Sequence, residues 1–125
     1  MKTRILIVDD HKMFRKTLKS LLDIQSDMEV VGEAENGEKA IAITRELLPD
    51  VILMDVKMPV MDGVEATRRI LAEMPGIKIL AFSMYADDGF TTGVMKAGAL
   101  GFILKGCEAE ELWAAIRKVA GSQNI

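Results

Sequence analysis

Five short apolar segments recur along the chain, and each is followed by a stretch with helical periodicity. The segments cover residues 5–8, 30–31, 51–54, 77–82 and 101–104. Four of them are continuously apolar, which is typical of strands covered on both faces in a parallel sheet. Strict alternation of strands and helices therefore predicts a doubly wound α/β fold with a five-stranded parallel sheet and five helices.

The helices are predicted from apolar residues spaced three, four and seven positions apart. Asn36 is expected to cap the second helix and Pro49 to end it. Gly89 and Gly93 each weaken the fourth helix by roughly 1 kcal/mol relative to Ala. The residues predicted to face the core are Phe14, Leu18, Leu21 and Leu22, then Ala40, Ile43 and Leu47, then Val64, Thr67 and Leu71, then Phe90, Val94 and Ala97, and finally Leu112, Ile116 and Val119.

Length and charge limit the classes of function. With 125 residues the chain is one domain, and a net charge of −3 gives no reason for direct binding to nucleic acid or an anionic membrane. No apolar run approaches the ~20 residues of a membrane span. Cys107 is the single cysteine, so an internal disulfide is excluded and a reducing, cytoplasmic setting is expected.

Polar residues end four of the predicted strands: Asp9 and Asp10, Asp55, Ser83, and Lys105. Taken singly, each is most simply a polar residue at the point where the chain leaves the sheet. In such sheets, however, ligands bind beyond the carboxyl ends of the strands, where these side chains would meet. Two carboxylates 4 Å apart repel by about 4 kcal/mol at an effective dielectric constant of 20, so three of them favour a cation or proton uptake.

Oxygen ligands in an open site favour Mg²⁺ over Ca²⁺. Zinc is less expected, because it requires several His or Cys ligands and only His11 and Cys107 are present. A lysine, a hydroxyl and a metal around a carboxylate are the groups that stabilise a phosphoryl group during transfer. One of the aspartates would then be the nucleophile.

In these stretches the whole chain resembles the response regulator receiver domain of bacterial two-component signalling. The matching features are "DD" after the first strand, Asp55 followed by "VKMPVMDG", "KILAFS" ending at Ser83, and "KAGALGFILK" ending at Lys105. The resemblance implies a flavodoxin-like sheet with strand order 2-1-3-4-5. It also implies that Asp55 accepts a phosphoryl group from a sensor histidine kinase, and that the domain is a switch rather than an enzyme.

The resemblance assigns a role to each matching position. Asp10, Asp55 and the backbone carbonyl of Lys57 would bind Mg²⁺ directly, and Asp9 would hold a metal-bound water. Ser83 and Lys105 would contact the phosphoryl oxygens. Phe102 would be the switch aromatic together with Ser83, and Lys57 and Tyr85 would tune the lifetime of the phosphorylated state.

The subfamily is indicated by "DDHKMFRKTLKSLL" and "VVGEAENGEKAI", which resemble NarL/FixJ/LuxR-type regulators. Such receivers usually precede a helix-turn-helix domain, so residues 1–120 are expected to form the receiver and residues 121–125 to begin a linker. DNA would be contacted only through that output domain, and phosphorylation could drive homodimerisation. A stand-alone receiver that acts through protein contacts remains the alternative.

The residues argue against two other functions. An aspartyl phosphatase would need a second acid two residues after the nucleophile, where this chain has Lys57. A flavin-binding module would need a Ser/Thr/Gly-rich phosphate loop in place of "DDHKM".

Gly106 stands where the family commonly has a proline, so the bond after Lys105 is expected to be trans. His11 is expected to begin the first helix, and Trp113 either marks a partner surface or packs against the sheet.

Overall fold

The computed structural model describes residues 2–84 and 89–122, and strands alternate with helices throughout. The strands are β1 (Thr3–Val8), β2 (Met28–Ala34), β3 (Val51–Asp55), β4 (Lys78–Ser83) and β5 (Gly101–Leu104). The helices are α1 (Lys12–Asp23), α2 (Gly37–Leu47), α3 (Gly63–Glu73), α4 (Gly89–Lys96) and α5 (Ala109–Ala120). Residues 123–125, Tyr85 and the side chain of Phe90 lie outside this description.

The strands form one parallel sheet in the order β2-β1-β3-β4-β5, which confirms the predicted fold. β1 and β3 are the central pair from which the chain winds in both directions. Val8 lies opposite Met54 in this pair, so the next residues along the two strands reach the same edge of the sheet. Ligands of such folds bind at this switch point.

Each face of the sheet is covered by helices. Ile5 and Ile7 face α1 and α5, whereas Leu6 and Val8 face α2, α3 and α4. All four side chains are fully buried, as a strand covered on both faces requires. Among the residues of the described helices, α5 buries the Leu112, Ile116 and Val119 stripe that its periodicity predicts.

The second helix shows both agreement and a difference. Asn36 caps α2 by accepting a hydrogen bond from Lys39 N at 2.9 Å, as predicted. The buried residues include Ala40, but Ile41 and Thr44 are buried where Ile43 and Leu47 were expected, and those two are half-buried. The helix α2 lies beside the edge strand β2, so one side of the helix is open to solvent. Its most buried residues therefore do not coincide with the apolar stripe read from the sequence.

The end of α2 has a left-handed residue that is not glycine. Leu48 follows the helix with φ 48°, and Pro49 prevents further helix. Arg4 Nη1 donates to the Leu48 carbonyl oxygen at 2.8 Å, which fixes the turn against the start of β1. No helix among the described residues is long and apolar enough to cross a membrane.

Candidate functional site

The carboxyl edge of the sheet brings together residues from distant parts of the chain. Asp9 and Asp10 follow β1, Asp55 ends β3, Ser83 ends β4 and Lys105 follows β5. Because all the strands are parallel, these five residues share one edge. The short side chains of Asp9, Asp55 and Ser83 are buried, whereas Asp10 is partly open to solvent.

Asp55 is held by two different donors. Its Oδ1 accepts a hydrogen bond from the backbone N–H of Lys57 at 3.3 Å, and its Oδ2 accepts one from Lys105 Nζ at 3.1 Å. Burial and the charge of Asp9 raise the pKa of Asp55 to about 6, although Lys105 acts in the opposite direction. The carboxylate is therefore desolvated and fixed in orientation.

Lys105 joins the two buried carboxylates. Its Nζ lies 2.9 Å from Asp9 Oδ2 and 3.1 Å from Asp55 Oδ2. The same ammonium lies 5.0 Å from the centroid of the Phe14 ring and 5.3 Å from that of Phe82, a distance at which a cation is attracted to an aromatic face. Burial opposes the charged form, but hydrogen bonds and charge from Asp9 and Asp55 leave the pKa of Lys105 raised.

The acidic cluster is suited to a divalent cation. One ligand atom each from Asp9, Asp10, His11 and Asp55 lies within 4.8 Å of the others. Asp10 Oδ1 is shielded from solvent and accepts no hydrogen bond within the described part of the chain, and the buried Asp9 Oδ2 lies beside the Lys105 ammonium. Buried carboxylate oxygens without donors are costly unless a cation is near, so these residues fit a metal.

The loop after Asp55 is fixed by close backbone packing. Gly63 begins α3, and a Cβ on it would lie 2.2 Å from the carbonyl oxygen of Asp55. Gly63 N donates to the Val56 carbonyl at 3.0 Å, and Asp62 caps α3 through Glu65 N at 2.9 Å. Only glycine permits the start of α3 to pack this closely against the Asp55 backbone. This contact holds Asp55 in place at the end of β3.

The remaining predicted residues occupy different positions. Ser83 is buried at the edge, and its carbonyl accepts from Lys105 N at 2.9 Å. Phe102 lies deeper in the sheet, opposite Ala81, and packs partly buried on the face covered by α2–α4. The side chain of Lys57 is exposed beside the cluster. Tyr85 lies outside the described residues.

Three residues near the cluster carry roles that sequence analysis did not assign. The rings of Phe14 and Phe82 flank the Lys105 ammonium, and Arg15 Nη1 donates to the Asp9 carbonyl at 2.7 Å. Phe14 was identified only as a core residue of α1. No signal in the sequence distinguishes it from other core aromatics, because the contact depends on how α1 crosses the sheet.

The structure also shows where His11, Trp113 and the peptide bond after Lys105 stand against their predictions. His11 is the N-cap residue of α1, as predicted, but its Nδ1 also lies 3.2 Å from Asp9 Oδ1 and 3.3 Å from Asp10 Oδ1. Trp113 is half-buried and donates through Nε1 to the Leu21 carbonyl at 3.1 Å, so it packs against α1. The peptide bond after Lys105 is trans, as expected.

A profile of the response regulator receiver domain matches residues 5–117, which is most of the chain and includes every member of the cluster. The chain belongs to the response regulator receiver domain family. Its relatives are NarL/LuxR-type regulators of two-component systems, which confirms the resemblance seen in the sequence.

Two curated relatives and one solved structure illustrate the similarity. The chain is 42% identical over 119 residues to the transcriptional regulatory protein DegU of Brevibacillus brevis, covering 95% of this chain and 50% of DegU. It is 43% identical over 120 residues to the response regulator GacA of Pseudomonas aeruginosa, covering 96% of this chain and 56% of GacA. A LuxR-family response regulator from Aurantimonas sp. SI85-9A1 superposes with a TM-score of 0.92 at 32% identity, covering 99% of this chain and 89% of that structure. The chain thus spans about half the length of these curated relatives.

Proposed function

We propose that this receiver is a phosphorylation-controlled switch in which Asp55 accepts a phosphoryl group from a sensor histidine kinase. The observation that carries the proposal is the state of the Asp55 carboxylate, which is buried, held by Lys57 N and Lys105 Nζ, and adjacent to two further acids. Such a carboxylate is oriented and poorly solvated, as a nucleophile for phosphoryl transfer requires.

The reaction follows from this arrangement. A carboxylate oxygen of Asp55 attacks the phosphorus, and the bond between phosphorus and the imidazole nitrogen of the kinase breaks. The product is an acyl phosphate on Asp55, and the electron pair of the broken bond returns to the departing imidazole. Lys105, already 3.1 Å from Asp55 Oδ2, can exchange its contact with Asp9 for one with a phosphoryl oxygen.

We assign Mg²⁺ to the acidic cluster. Asp10, Asp55 and the backbone carbonyl of Lys57 would hold the ion directly, and Asp9 would act through a bound water. When bound, Mg²⁺ supplies positive charge that offsets repulsion between the phosphoryl oxygens and the carboxylates. The solvent-shielded Oδ1 of Asp10 supports this assignment, because it accepts no hydrogen bond from the described residues.

Ser83 and Phe102 are proposed to carry the signal away from Asp55. Ser83 is buried at the same edge, and a hydroxyl there can donate to a phosphoryl oxygen. Phe102 lies on the next strand and packs against the helix layer that includes α4. Movement of Ser83 toward a phosphoryl group would shift the start of the segment leading to α4, which is the face we propose for output and homodimerisation.

The lifetime of the acyl phosphate is proposed to depend on Lys57 and Tyr85. Lys57 follows the phosphoacceptor by two residues, and its side chain is exposed beside the open, Asp10-lined part of the site. A long side chain there can obstruct an attacking water. Replacing Lys57 with Ala should accelerate hydrolysis more than twofold, measured as the rate of phosphate release. Tyr85 can be tested in the same assay.

We also propose that residues 1–120 are the receiver unit and that residues 121–125 lead toward a DNA-binding output domain. The support is that relatives of about twice this length include one named as a transcriptional regulatory protein. In that arrangement the receiver controls DNA binding without touching DNA, in keeping with its net charge of −3.

Phosphorylation at Asp55 can be tested directly. The chain is incubated with acetyl phosphate and Mg²⁺, trapped with borohydride and mapped by mass spectrometry. We expect one adduct, at Asp55, and none in Asp55→Ala. Asp50→Asn is the matched control, since Asp50 precedes the opposite end of the same strand. Modification of Asp55→Ala to the wild-type extent would refute the assignment.

A further inference from the structure

His11 places an imidazole nitrogen at the acidic cluster. Its Nδ1 lies 3.2 Å from Asp9 Oδ1 and 3.3 Å from Asp10 Oδ1. The ring is otherwise open to solvent, with 70% of the side chain exposed, so burial in the core does not explain its orientation. With Nδ1 protonated the ring donates a hydrogen bond to Asp9 Oδ1, whereas in the tautomer protonated at Nε2 the Nδ1 lone pair faces the carboxylate oxygens and is available to a cation.

Some carboxylate oxygens of the cluster remain available to a shared cation. Asp9 Oδ1 already accepts a bond from the backbone N–H of His11 at 2.7 Å. Asp10 Oδ1 is shielded from solvent and accepts no hydrogen bond from any described residue, even though Nδ1 is close. Asp9, whose side chain is fully buried, has its Oδ2 beside the Lys105 ammonium at 2.9 Å, a position that already suits a positive charge.

The spacing suits direct coordination. One atom from each of Asp9, Asp10, His11 and Asp55 lies within 4.8 Å of the others. Ligands of a transition cation lie about 2 Å from the metal, so ligands on opposite sides are about 4 Å apart. A small contraction of the cluster would therefore place three carboxylates and one imidazole around a single ion.

We propose that His11 is a further ligand of this site through Nδ1, and that it makes the site prefer first-row transition cations such as Co²⁺ and Zn²⁺ over Mg²⁺. Imidazole binds these cations well, whereas Mg²⁺ prefers oxygen ligands and keeps several waters. The inference rests on the metal site proposed above, and it adds a ligand that changes which cation that site selects.

A functional consequence follows for competition between ions. A cation held by His11 occupies the carboxylates that Mg²⁺ needs, so the two ions exclude each other. Phosphorylation of Asp55 would then depend on the ratio of transition cation to Mg²⁺ as well as on the kinase.

The chain offers a clean spectroscopic test, because His11 is its one histidine. Histidine labelled with ¹⁵N gives a single imidazole, whose Nδ1 resonance reports coordination. We expect Zn²⁺ to shift Nδ1 strongly while Nε2 stays protonated, and Mg²⁺ at saturation to leave Nδ1 unchanged. Absence of a Zn²⁺ shift at saturation, or the same shift with both ions, would overturn the proposal.

Affinities measured by calorimetry provide the second arm. Asn is a good N-cap residue, so His11→Asn should preserve the start of α1. We expect this variant to weaken Co²⁺ binding at least about tenfold and Mg²⁺ binding less than about twofold, since it removes a nitrogen ligand alone. Asp10→Asn should weaken both. Equal losses for the two ions in His11→Asn would show that His11 only hydrogen-bonds to the acids.

Two results separate this inference from the function proposed for Asp55. If Zn²⁺ shifts Nδ1 equally in Asp10→Asn at the same concentration, the imidazole binds metal alone and the shared site is refuted. Phosphorylation is not used in either measurement. A chain that coordinates Zn²⁺ as expected but is not modified by acetyl phosphate would refute the switch and leave the His11 ligand in place.

Discussion

Asp55 lies in surroundings that work against its own charge. The carboxyl is buried next to Asp9, and one ammonium is shared between the two acids. Ionising Asp55 in the metal-free protein therefore costs more free energy in the folded state than in the unfolded chain. A bound cation would relieve the same repulsion, so metal binding at this cluster is expected to stabilise the fold.

This cost predicts a pH dependence of stability. The pKa of Asp55 is raised from 3.8 to about 6 by burial and by Asp9. A raised carboxyl pKa means that the stabilising contribution is complete below the unfolded-state value and is lost as pH rises through about 6. In EDTA, Asp55→Asn should gain up to about 3 kcal/mol of unfolding free energy over wild type between pH 4 and 7, measured by urea denaturation.

A second aspartate provides a control of opposite sign. The side-chain hydrogen bond from Arg117 lowers the pKa of Asp27, so its contribution to stability is present at neutral pH and lost in acid. Asp27→Asn should therefore lose stability relative to wild type as pH rises. Parallel curves for Asp55→Asn and wild type across this range would contradict the raised pKa of Asp55.

At the scale of elements, the junction between β3 and α3 depends on one glycine. A methyl group at Gly63 would lie 2.2 Å from the Asp55 carbonyl oxygen, so backbone must move to admit it. We expect Gly63→Ala to reduce unfolding free energy by about 1–3 kcal/mol and to slow modification of Asp55. Thermal melting and the acetyl phosphate assay would measure the two effects.

Gly76 is the matched control for that change. It lies between α3 and β4, and apart from its own chain neighbours no atom lies within 4 Å of where its Cβ would be. Gly76→Ala should change stability by less than about 0.5 kcal/mol and leave phosphorylation unchanged. Equal effects of the two substitutions would mean that loss of glycine flexibility, rather than contact with Asp55, is responsible.

The end of α2 offers a stabilising substitution. Leu48 adopts φ 48° with 57% of its surface exposed, so it bears the cost of a left-handed conformation and buries little. Leu48→Gly should raise the unfolding free energy by about 0.5–1 kcal/mol in denaturant titrations. Leu48→Ala keeps the strain and loses the side chain, so it should not stabilise; a gain as large as that of Leu48→Gly would contradict the argument.

Prediction of the strands from sequence succeeded where the apolar run is uninterrupted. The runs that became β1, β3 and β5 were located to within two residues, because a short continuous apolar segment is typical of a strand in a parallel sheet. β2 was predicted only at Val30 and Val31, yet it extends over Met28–Ala34. The exposed Glu29 and Glu33 interrupt the apolar pattern of β2, so only Val30 and Val31 were recognised.

At the scale of the whole molecule, output through α4 is open to measurement. This helix has eight residues, includes Gly89 and Gly93, and is anchored by the buried Val94. We expect beryllofluoride, a phosphoryl mimic, to change hydrogen exchange in α4 and β5 while α2 stays unchanged. Changes restricted to residues 9–11 and 55–62 would place the output elsewhere.

The sequence located the members of the site but not their contacts. Parallel strands in alternation imply that Asp9, Asp55 and Lys105 reach one edge, and this much is a matter of topology. That Lys105 bridges Asp9 and Asp55, and that the His11 ring turns toward the acids, depends on sheet twist and side-chain rotamers. Those are properties of the packed whole, so a linear pattern does not contain them.

The strand order has a consequence for the synthesis of the chain. Asp9 and Asp55 lie on the adjacent strands β1 and β3, whereas the lysine that neutralises them follows β5, the last strand to leave the ribosome. A nascent chain lacking that strand exposes the edge of β4 and holds two carboxylates with no ammonium between them. The cluster is thus complete only when its last member, Lys105, has been synthesised.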